Sequence, residues 1–273
     1  MNLCVILPAA GLGQRFAAGG NASASKIEFE LDHKPVFLHA IEAFRAVSAV
    51  GQIILAVHPE RLDDFRYRWE DKLAFLQVDL VAGGTVERWE TVKRSLEAGR
   101  GGATHIAVHD AARPVVSPAM IERVFAAAER LPAVIPGLPV SSTLKRVGAV
   151  ETDAAAADPL DDILGDTSSP MAKARPVEGT VSRDHLVAIQ TPQVFEIELL
   201  RRAYAQASQV DGVTDDAGLI EALGETVQVV EGDPGNIKIT HPGDAELAAA
   251  LIAHRKQAVA EKKVIDLFGD DDD

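Results

Sequence analysis

Residues 3–16 read LCVILPAAGLGQRF, an apolar run followed at once by a turn rich in glycine and alanine. The run is short and carries branched aliphatic side chains, which is typical of a buried strand. In the turn, small residues let main-chain N–H groups approach phosphate oxygens, and Arg15 adds a permanent positive charge. The stretch predicts the first strand of an α/β sheet and a nucleotide loop after it. A tight turn without a ligand is the alternative that this stretch alone leaves open.

Two better-known phosphate loops fit this turn less well. Phe16 stands where the dinucleotide pattern G-x-G-x-x-G needs its third glycine, and the next apolar run ends in His58 and Pro59 instead of an acidic ribose ligand. No glycine followed by Lys and Ser or Thr occurs at the spacing of the ATP-type phosphate loop. Both patterns are therefore disfavoured.

Working outward, short apolar runs alternate with longer stretches of helical periodicity. The runs predict strands at residues 4–7, 53–57, 76–81, 106–108, 134–135, 186–189 and 227–230. Stretches that follow Pro35 and Pro118 repeat apolar residues three and four apart, as amphipathic helices do. Strands that alternate with helices predict an α/β fold with a mainly parallel sheet.

One main domain is expected over residues 1–264, interrupted at residues 140–183. In that insertion, stretches rich in alanine, proline, acidic residues and Ser/Thr replace the apolar periodicity. The two ends of the insertion are predicted either to pair as an extended arm or to form a surface loop. The last helix is predicted from residue 244 to about residue 264. Residues 265–273 are predicted to form an acidic, flexible tail.

Composition excludes several classes of function. The chain has 41 acidic and 27 basic residues and a net charge of −14, which argues against sequence-independent binding of nucleic acid. An anionic substrate must therefore meet a local basic cluster. The single cysteine, Cys4, cannot form an intrachain disulfide and is predicted to lie in the core. Neither a signal peptide nor a membrane span is evident, so we expect a cytoplasmic protein without a membrane partner.

Two later segments carry charged residues where ligands bind in parallel sheets. Residues 108–114 read VHDAARP and place Asp110 just after a predicted strand, where it could hold a metal or a substrate hydroxyl. A turn-capping aspartate, or one paired with Arg113, is the alternative, and His109 is predicted to be packed. Residues 236–240, NIKIT, place Lys238 at the end of a late predicted strand, as a phosphate ligand or a surface lysine.

Together these segments resemble the family of 2-C-methyl-D-erythritol 4-phosphate cytidylyltransferases of the non-mevalonate isoprenoid pathway. The resemblance runs from residue 3 to about residue 251. It rests on PAAGLGQR at 8–15, the glycine pair at 83–84 with Arg88 and Thr91, VHDAARP at 108–114, PVSSTLKRV at 139–147, QTPQ at 190–193, VTDD at 213–216 and GDPGNIKITHP at 232–242.

The resemblance implies a three-layer α/β/α nucleotidyltransferase fold that is Rossmann-like and dimerises through an extended β-arm. It implies attack of a substrate phosphate on the α-phosphorus of CTP, assisted by Mg²⁺ or another divalent cation, and release of pyrophosphate. Phosphoryl chemistry of this kind needs positioning and positive charge rather than a covalent nucleophile.

The resemblance also implies residue roles. The catalytic residues would be Arg15, Lys26 and Lys238. CTP would be bound by Ala9, Ala10, Gly11, Gly13, Gly84, Arg88 and Thr91. The acceptor would be bound by Asp110, Arg113, Thr143, Arg183 and Thr191. Asp110 would also hold the metal, and Thr143 and Arg183 would reach the site of the neighbouring subunit.

The sequence departs from the family pattern in four places. Residues 17–25 lengthen the loop before Lys26, so Lys34 is a second candidate for the loop lysine. Ser142 stands where the family's arm carries an aspartate, which leaves the acceptor open. Residues 151–178 are longer than the usual arm, and the acidic tail has no counterpart. The alternatives are a cytidylyltransferase for ribitol 5-phosphate or another polyol phosphate, and a non-catalytic nucleotide-binding homologue.

Overall fold

The computed structural model describes residues 1–11, 26–149, 175–210 and 212–268, with side chains as far as residue 259. The chain divides into two compact units. The first contains Met1–Leu138 and Ile189–Asp273, and the second contains Pro139–Ala188.

The main sheet is built from strands that occur along the whole chain. They are β1 (Leu3–Ala9), β4 (Val50–Val57), β5 (Val78–Ala82), β6 (His105–Val108), β7 (Ala133–Pro139), β10 (Val187–Ile189), β11 (Gln193–Glu196) and β12 (Gln228–Glu231). Their order is β10, β7, β11, β6, β1, β4, β5, and β12 also pairs with β7. The pairs of β1 with β4 and β6 and of β4 with β5 are parallel, whereas β11 runs antiparallel to β6 and β7.

Between these strands lie a short hairpin, β2 (Glu30–Leu31) with β3 (Lys34–Pro35), and the helices. The helices are α1 (Val36–Arg45), α2 (Leu62–Phe75), α3 (Arg88–Glu97), α4 (Pro118–Ala128), α5 (Ile197–Ala205), α6 (Asp216–Ala222) and α7 (Pro242–Phe268). Single 3₁₀ turns occupy Pro59–Arg61 and Ala207–Gln209.

The alternation of side chains along β1 explains why helices cover both faces of the sheet. Leu3, Val5 and Leu7 belong to one buried cluster, which α1, α2 and α4 complete. Cys4 and Ile6 belong to the opposite cluster, which is closed by α3, α5 and α6. Successive strand residues point to opposite faces, so a strand that is apolar throughout must be covered on both sides. The fold has three layers, α/β/α.

Local sequence sets where two of the helices begin. Pro35 precedes α1, whose residues Val36, Phe37 and Phe44 are fully buried. At α4, the Ser117 hydroxyl accepts a hydrogen bond from the Met120 N–H at 3.3 Å, and Pro118 fills the first turn. A serine cap followed by proline satisfies a free N–H and fixes the backbone angle at a helix start.

In the second unit, β8 (Leu144–Val147) pairs antiparallel with β9 (Val177–Val181). The described ends of the insertion thus form a paired β-arm, and the surface-loop alternative is wrong for them. Residues 150–174, which include most of the long segment at 151–178, lie outside the described residues.

The seven apolar runs predicted as strands correspond to β1, β4, β5, β6, β7, β10 and β12, with bounds that are wider in some and shifted or shorter in others. Cys4 lies in the core at 2% exposure. The strand predicted at residues 236–240 is wrong, because a turn at 234–235 and the start of α7 leave an irregular segment whose Ile239 N–H bonds the Ala112 carbonyl. Strand β11 was not predicted, since only two of its residues are apolar. Helix α7 exceeds its predicted bounds at both ends. Among the described helices, none has the length and apolar character to cross a membrane.

Candidate active site

A cavity of about 620 Å³ opens where β1, β5 and β6 end. Ligands of open α/β sheets bind at these carboxyl edges. Nine predicted site residues line the cavity: Ala9, Ala10, Gly11, Lys26, Gly84, Arg88, Thr91, Asp110 and Lys238. They come from five separate stretches of the sequence, and the topology of the sheet brings them together.

The loop between β5 and α3 is held tightly against that helix. The Gly84 N–H donates to the Thr91 hydroxyl at 2.9 Å, and one Glu90 carboxylate oxygen accepts the N–H groups of Thr85 and Val86 at 3.2 and 3.3 Å. A Cβ at Gly84 would lie 2.5 Å from the Glu90 Cβ, so only glycine permits this approach. Thr91 therefore shapes one wall of the cavity through the loop that it holds.

Asp110 is surrounded by cations. Its Oδ2 lies 2.9 Å from Lys238 Nζ and 3.2 Å from Arg113 Nε, and its Oδ1 lies 3.8 Å from an Arg88 guanidinium nitrogen. Burial alone would raise the pKa of Asp110, but Lys238, Arg88 and Arg113 together hold it well below its usual range. The carboxylate is therefore ionised at any physiological pH.

Arg88 joins this group to a second buried carboxylate. Its guanidinium donates to Asp216 at 2.7 Å, and Asp216 also accepts a hydrogen bond from the Tyr204 hydroxyl. Burial alone would lower the pKa of Arg88, yet Asp216 and Asp110 more than offset burial and raise it. Arg88 is thus a charged group in the wall of the cavity, held by Asp216 and facing Asp110.

His109 and Thr191 support Asp110 from behind. The His109 ring contacts the Arg113 carbonyl through Nε2 at 3.2 Å and the Thr191 hydroxyl through Nδ1 at 3.1 Å. A carbonyl can only accept, so Nε2 carries the hydrogen and Nδ1 accepts from Thr191, whose oxygen then accepts the Asp110 N–H at 3.1 Å. Burial lowers the pKa of His109 to about 4. His109 is a packed, neutral histidine, as predicted.

The two candidate loop lysines lie in different surroundings. Lys26 lines the cavity, whereas Lys34 forms an ion pair with Glu42 of α1 and does not line it. Arg113 also lies behind the cavity wall, where it donates to the Asn236 carbonyl at 2.8 Å as well as to Asp110.

Two of the remaining predicted residues belong to the second unit. Thr143 is exposed in the second unit, where Arg183 donates a hydrogen bond to the Ser141 carbonyl. Gly13 and Arg15 lie outside the described residues.

Several site residues were missed by sequence reasoning. Thr85, Val86, Glu87 and Thr240 line the cavity, and Asp216 and Tyr204 fix Arg88 from behind. The adjacent acids Asp215 and Asp216 were the signal available in the sequence. One acidic side chain is enough to cap a helix start, so the other indicates a second role. Asp215 caps α6 by accepting the Gly218 N–H at 3.1 Å, which leaves Asp216 for the arginine.

A three-layer α/β/α fold with a cation-lined cavity at the carboxyl edge of its sheet is typical of a nucleotide-binding α/β protein. The similarity to a solved cytidylyltransferase structure identifies the class as nucleotidyltransferase. The family model described as 2-C-methyl-D-erythritol 4-phosphate cytidylyltransferase (IspD) matches residues 3–254. The chain belongs to this family.

Individual relatives agree with the family match. A protein of Acidobacterium capsulatum named 2-C-methyl-D-erythritol 4-phosphate cytidylyltransferase is 41% identical, over 93% of this chain and 99% of the relative. A Rhodopirellula baltica protein of the same name is 36% identical, over 92% of this chain and 95% of its own length. The crystal structure of the Thermus thermophilus enzyme of that name is 30% identical, with a TM-score of 0.68 and coverage of 93% and 100%.

Proposed function

We propose that the cavity binds CTP and that the chain transfers its cytidylyl group to 2-C-methyl-D-erythritol 4-phosphate, with release of pyrophosphate, in isoprenoid precursor synthesis. One observation of the site carries the proposal. In a chain with a net charge of −14, the charged residues lining the cavity are, within the part of the chain that the structure describes, Lys26, Arg88 and Lys238 against Glu87 and Asp110. A local excess of positive charge in an acidic protein suits an anionic substrate such as a nucleoside triphosphate.

In the proposed reaction, an oxygen of the acceptor phosphate forms a bond to the α-phosphorus of CTP. The bond from that phosphorus to the oxygen bridging to the β-phosphorus breaks, and its electron pair leaves with pyrophosphate. The attacking phosphate is already ionised, so neither a protein nucleophile nor a general base is needed. Lys26, Lys238 and Arg15 would supply positive charge where negative charge develops on the phosphate oxygens.

Asp110 fits the role of a ligand for Mg²⁺. Its carboxylate is ionised, it lines the cavity, and oxygen is the donor that Mg²⁺ prefers. Among the described residues, no group of three or more His, Cys, Asp or Glu side chains could hold a metal, so the remaining ligands would be phosphates and water. Bound there, the ion would neutralise phosphate charge and align the phosphates.

We further propose that the enzyme is a cytoplasmic homodimer formed through the β-arm. Val147 and Val177, which face each other in register across β8 and β9, are both exposed, at 40% and 61%. Exposed apolar side chains on a paired arm favour contact with another protein surface. Thr143 and Arg183 would then bind the acceptor in the partner's site, with Arg113 and Thr191 on the acceptor side of the same site.

A pyrophosphate-release assay with CTP and Mg²⁺ tests the proposal. Parallel reactions contain 2-C-methyl-D-erythritol 4-phosphate, ribitol 5-phosphate or no acceptor. We expect release only with methylerythritol phosphate. Release only with ribitol phosphate would overturn the choice of acceptor. The acceptor is the part of the proposal that Ser142 bears on, because it stands where the family's arm carries an aspartate. Binding of CTP without release in any reaction would favour a non-catalytic homologue.

A further inference from the structure

Asn236 is the buried polar residue nearest in sequence to Lys238 on the irregular segment between β12 and α7. It is completely buried. Its side-chain Nδ2 donates to the Thr191 carbonyl at 2.8 Å and contacts the Met120 sulfur at 3.5 Å. The carbonyl can only accept, so this bond fixes which end of the amide faces Thr191.

The other end of the same amide is not satisfied. Among the atoms of the described residues, Asn236 Oδ1 has no hydrogen-bond partner. A buried acceptor without a partner destabilises a fold, and an apolar side chain of similar volume would avoid that cost. The asparagine is accounted for by its Nδ2–H bond, which an apolar side chain could not make and whose loss would leave the Thr191 carbonyl without this donor.

That bond attaches the segment carrying Lys238 to the segment behind Asp110. Thr191 accepts the Asp110 N–H through its hydroxyl and the Asn236 amide through its carbonyl. On the other side of Lys238, the Ile239 N–H donates to the Ala112 carbonyl, and the Ile239 side chain is fully buried. Lys238 thus lies between two buried anchors, and its Nζ reaches Asp110 at 2.9 Å.

We propose that Asn236 is a positioning residue that holds Lys238 in the geometry for transfer through its amide bond to Thr191. Lys238 lines the cavity, and displacement of a charged group by a fraction of an ångström changes how it meets a transition state. The inference rests on the proposed function, because Lys238 acts there on the phosphates of CTP.

The test is a double-mutant cycle in the full-length protein with Asn236→Leu, Lys238→Ala and the two combined. Leucine keeps the side-chain volume and removes the donor. The matched control is Gln52→Leu, a buried amide near the amino end of β4 that donates to Asp79 at 2.7 Å, far from the carboxyl edge of the sheet. Turnover is measured by pyrophosphate release, CTP affinity by calorimetry, and folding by circular dichroism and thermal melting.

We expect Asn236→Leu to lower kcat by about 10- to 100-fold in the wild-type background, the order of effect that misplacement produces. On the Lys238→Ala background it should lower kcat by less than about threefold, because the group that it positions is gone. Gln52→Leu should leave kcat unchanged. Equal losses on both backgrounds, a comparable loss in Gln52→Leu, or no effect of Lys238→Ala would each overturn the inference.

The same cycle separates this inference from the proposed function. If the wild-type protein binds CTP but does not release pyrophosphate, the proposed function fails and the cycle is read from the CTP dissociation constants. Weaker CTP binding by Asn236→Leu only when Lys238 is present then supports the positioning role. Equal weakening with and without Lys238, or no weakening, rejects it.

Discussion

Replacing Asp110 with asparagine keeps the shape of the side chain and removes the one negative charge that Lys238, Arg113 and Arg88 approach together. Loss of one partner from a buried ion pair destabilises a protein by about 3–5 kcal/mol. The Asp110 side chain keeps 12% of its surface exposed to the cavity, so we expect the lower end, about 3 kcal/mol. One kcal/mol shifts Tm by about 2–4 °C in a chain of this size. Asp110→Asn should therefore lower Tm by about 6–12 °C.

The effect should depend on pH in a defined direction. The pKa of Asp110 in the folded chain is below its ordinary value of 3.8. A carboxyl group with a lowered folded pKa contributes its stability above the unfolded pKa and loses it as pH falls through the folded pKa. The difference in unfolding free energy between wild type and Asp110→Asn should thus be the same at about pH 7 and about pH 5, and should shrink at pH values below 3.8.

Urea denaturation at several pH values measures this difference, and pyrophosphate release measures the accompanying loss of turnover. The control is Asp79→Asn, which removes a carboxylate paired with Arg100 near the amino end of β5, away from the cavity. It should leave turnover unchanged. An Asp110→Asn protein as stable as wild type at about pH 7, or a difference that persists unchanged at about pH 2.5, would refute the assignment of Asp110 as the charge that holds these cations together.

Three further outcomes are expected. Arg15→Ala should reduce kcat by about 10²- to 10³-fold with little change in Tm, because the role proposed for Arg15 is to supply positive charge to the transition state; a wild-type rate would contradict this. Arg183→Ala should raise the KM of the acceptor more than that of CTP, and an unchanged acceptor KM, or a monomer in light scattering, would reject its action across a dimer. Burial raises the pKa of the Cys4 thiol to about 12, so the native protein should not react with a thiol reagent at about pH 8, and labelling as fast as in the urea-unfolded chain would show the opposite.

Sequence periodicity predicted the elements whose apolar side chains form the core. Strand β1 was evident because its residues are apolar on both faces, and α1 and α4 because each buries one stripe. Position along the chain also predicted that Asp110 follows a strand at the carboxyl edge. These features are set by local pattern and by the rule that parallel strands align their carboxyl ends.

The parts that sequence did not predict depend on contacts between distant segments. Strand β11 has little apolar character and forms through pairing with β6 and β7. The segment that carries Lys238 has the pattern of a strand because Ile237 and Ile239 alternate with polar residues, yet buried side-chain anchors hold it instead of a ladder of backbone bonds. The adjacent acids Asp215 and Asp216 indicated a second role for one of them, but the pairing with Arg88 was not predictable, because Asp216 is 128 residues away.

The cations around Asp110 also explain why a cavity proposed to bind an anion contains a negatively charged carboxylate. Lys238, Arg113 and Arg88 would repel one another if the cavity held them without a counter-charge, and Asp110 removes that repulsion in the ligand-free protein. The three cations differ in how freely they can turn to a ligand, because their side chains are 39%, 12% and 31% exposed, respectively. Arg113 and Arg88 are also held by the Asn236 carbonyl and by Asp216. Lys238 is thus the cation of the three that can leave Asp110 and bind a phosphate at the lowest cost in free energy. Its position, which Asn236 is proposed to set, therefore affects how it meets the phosphate.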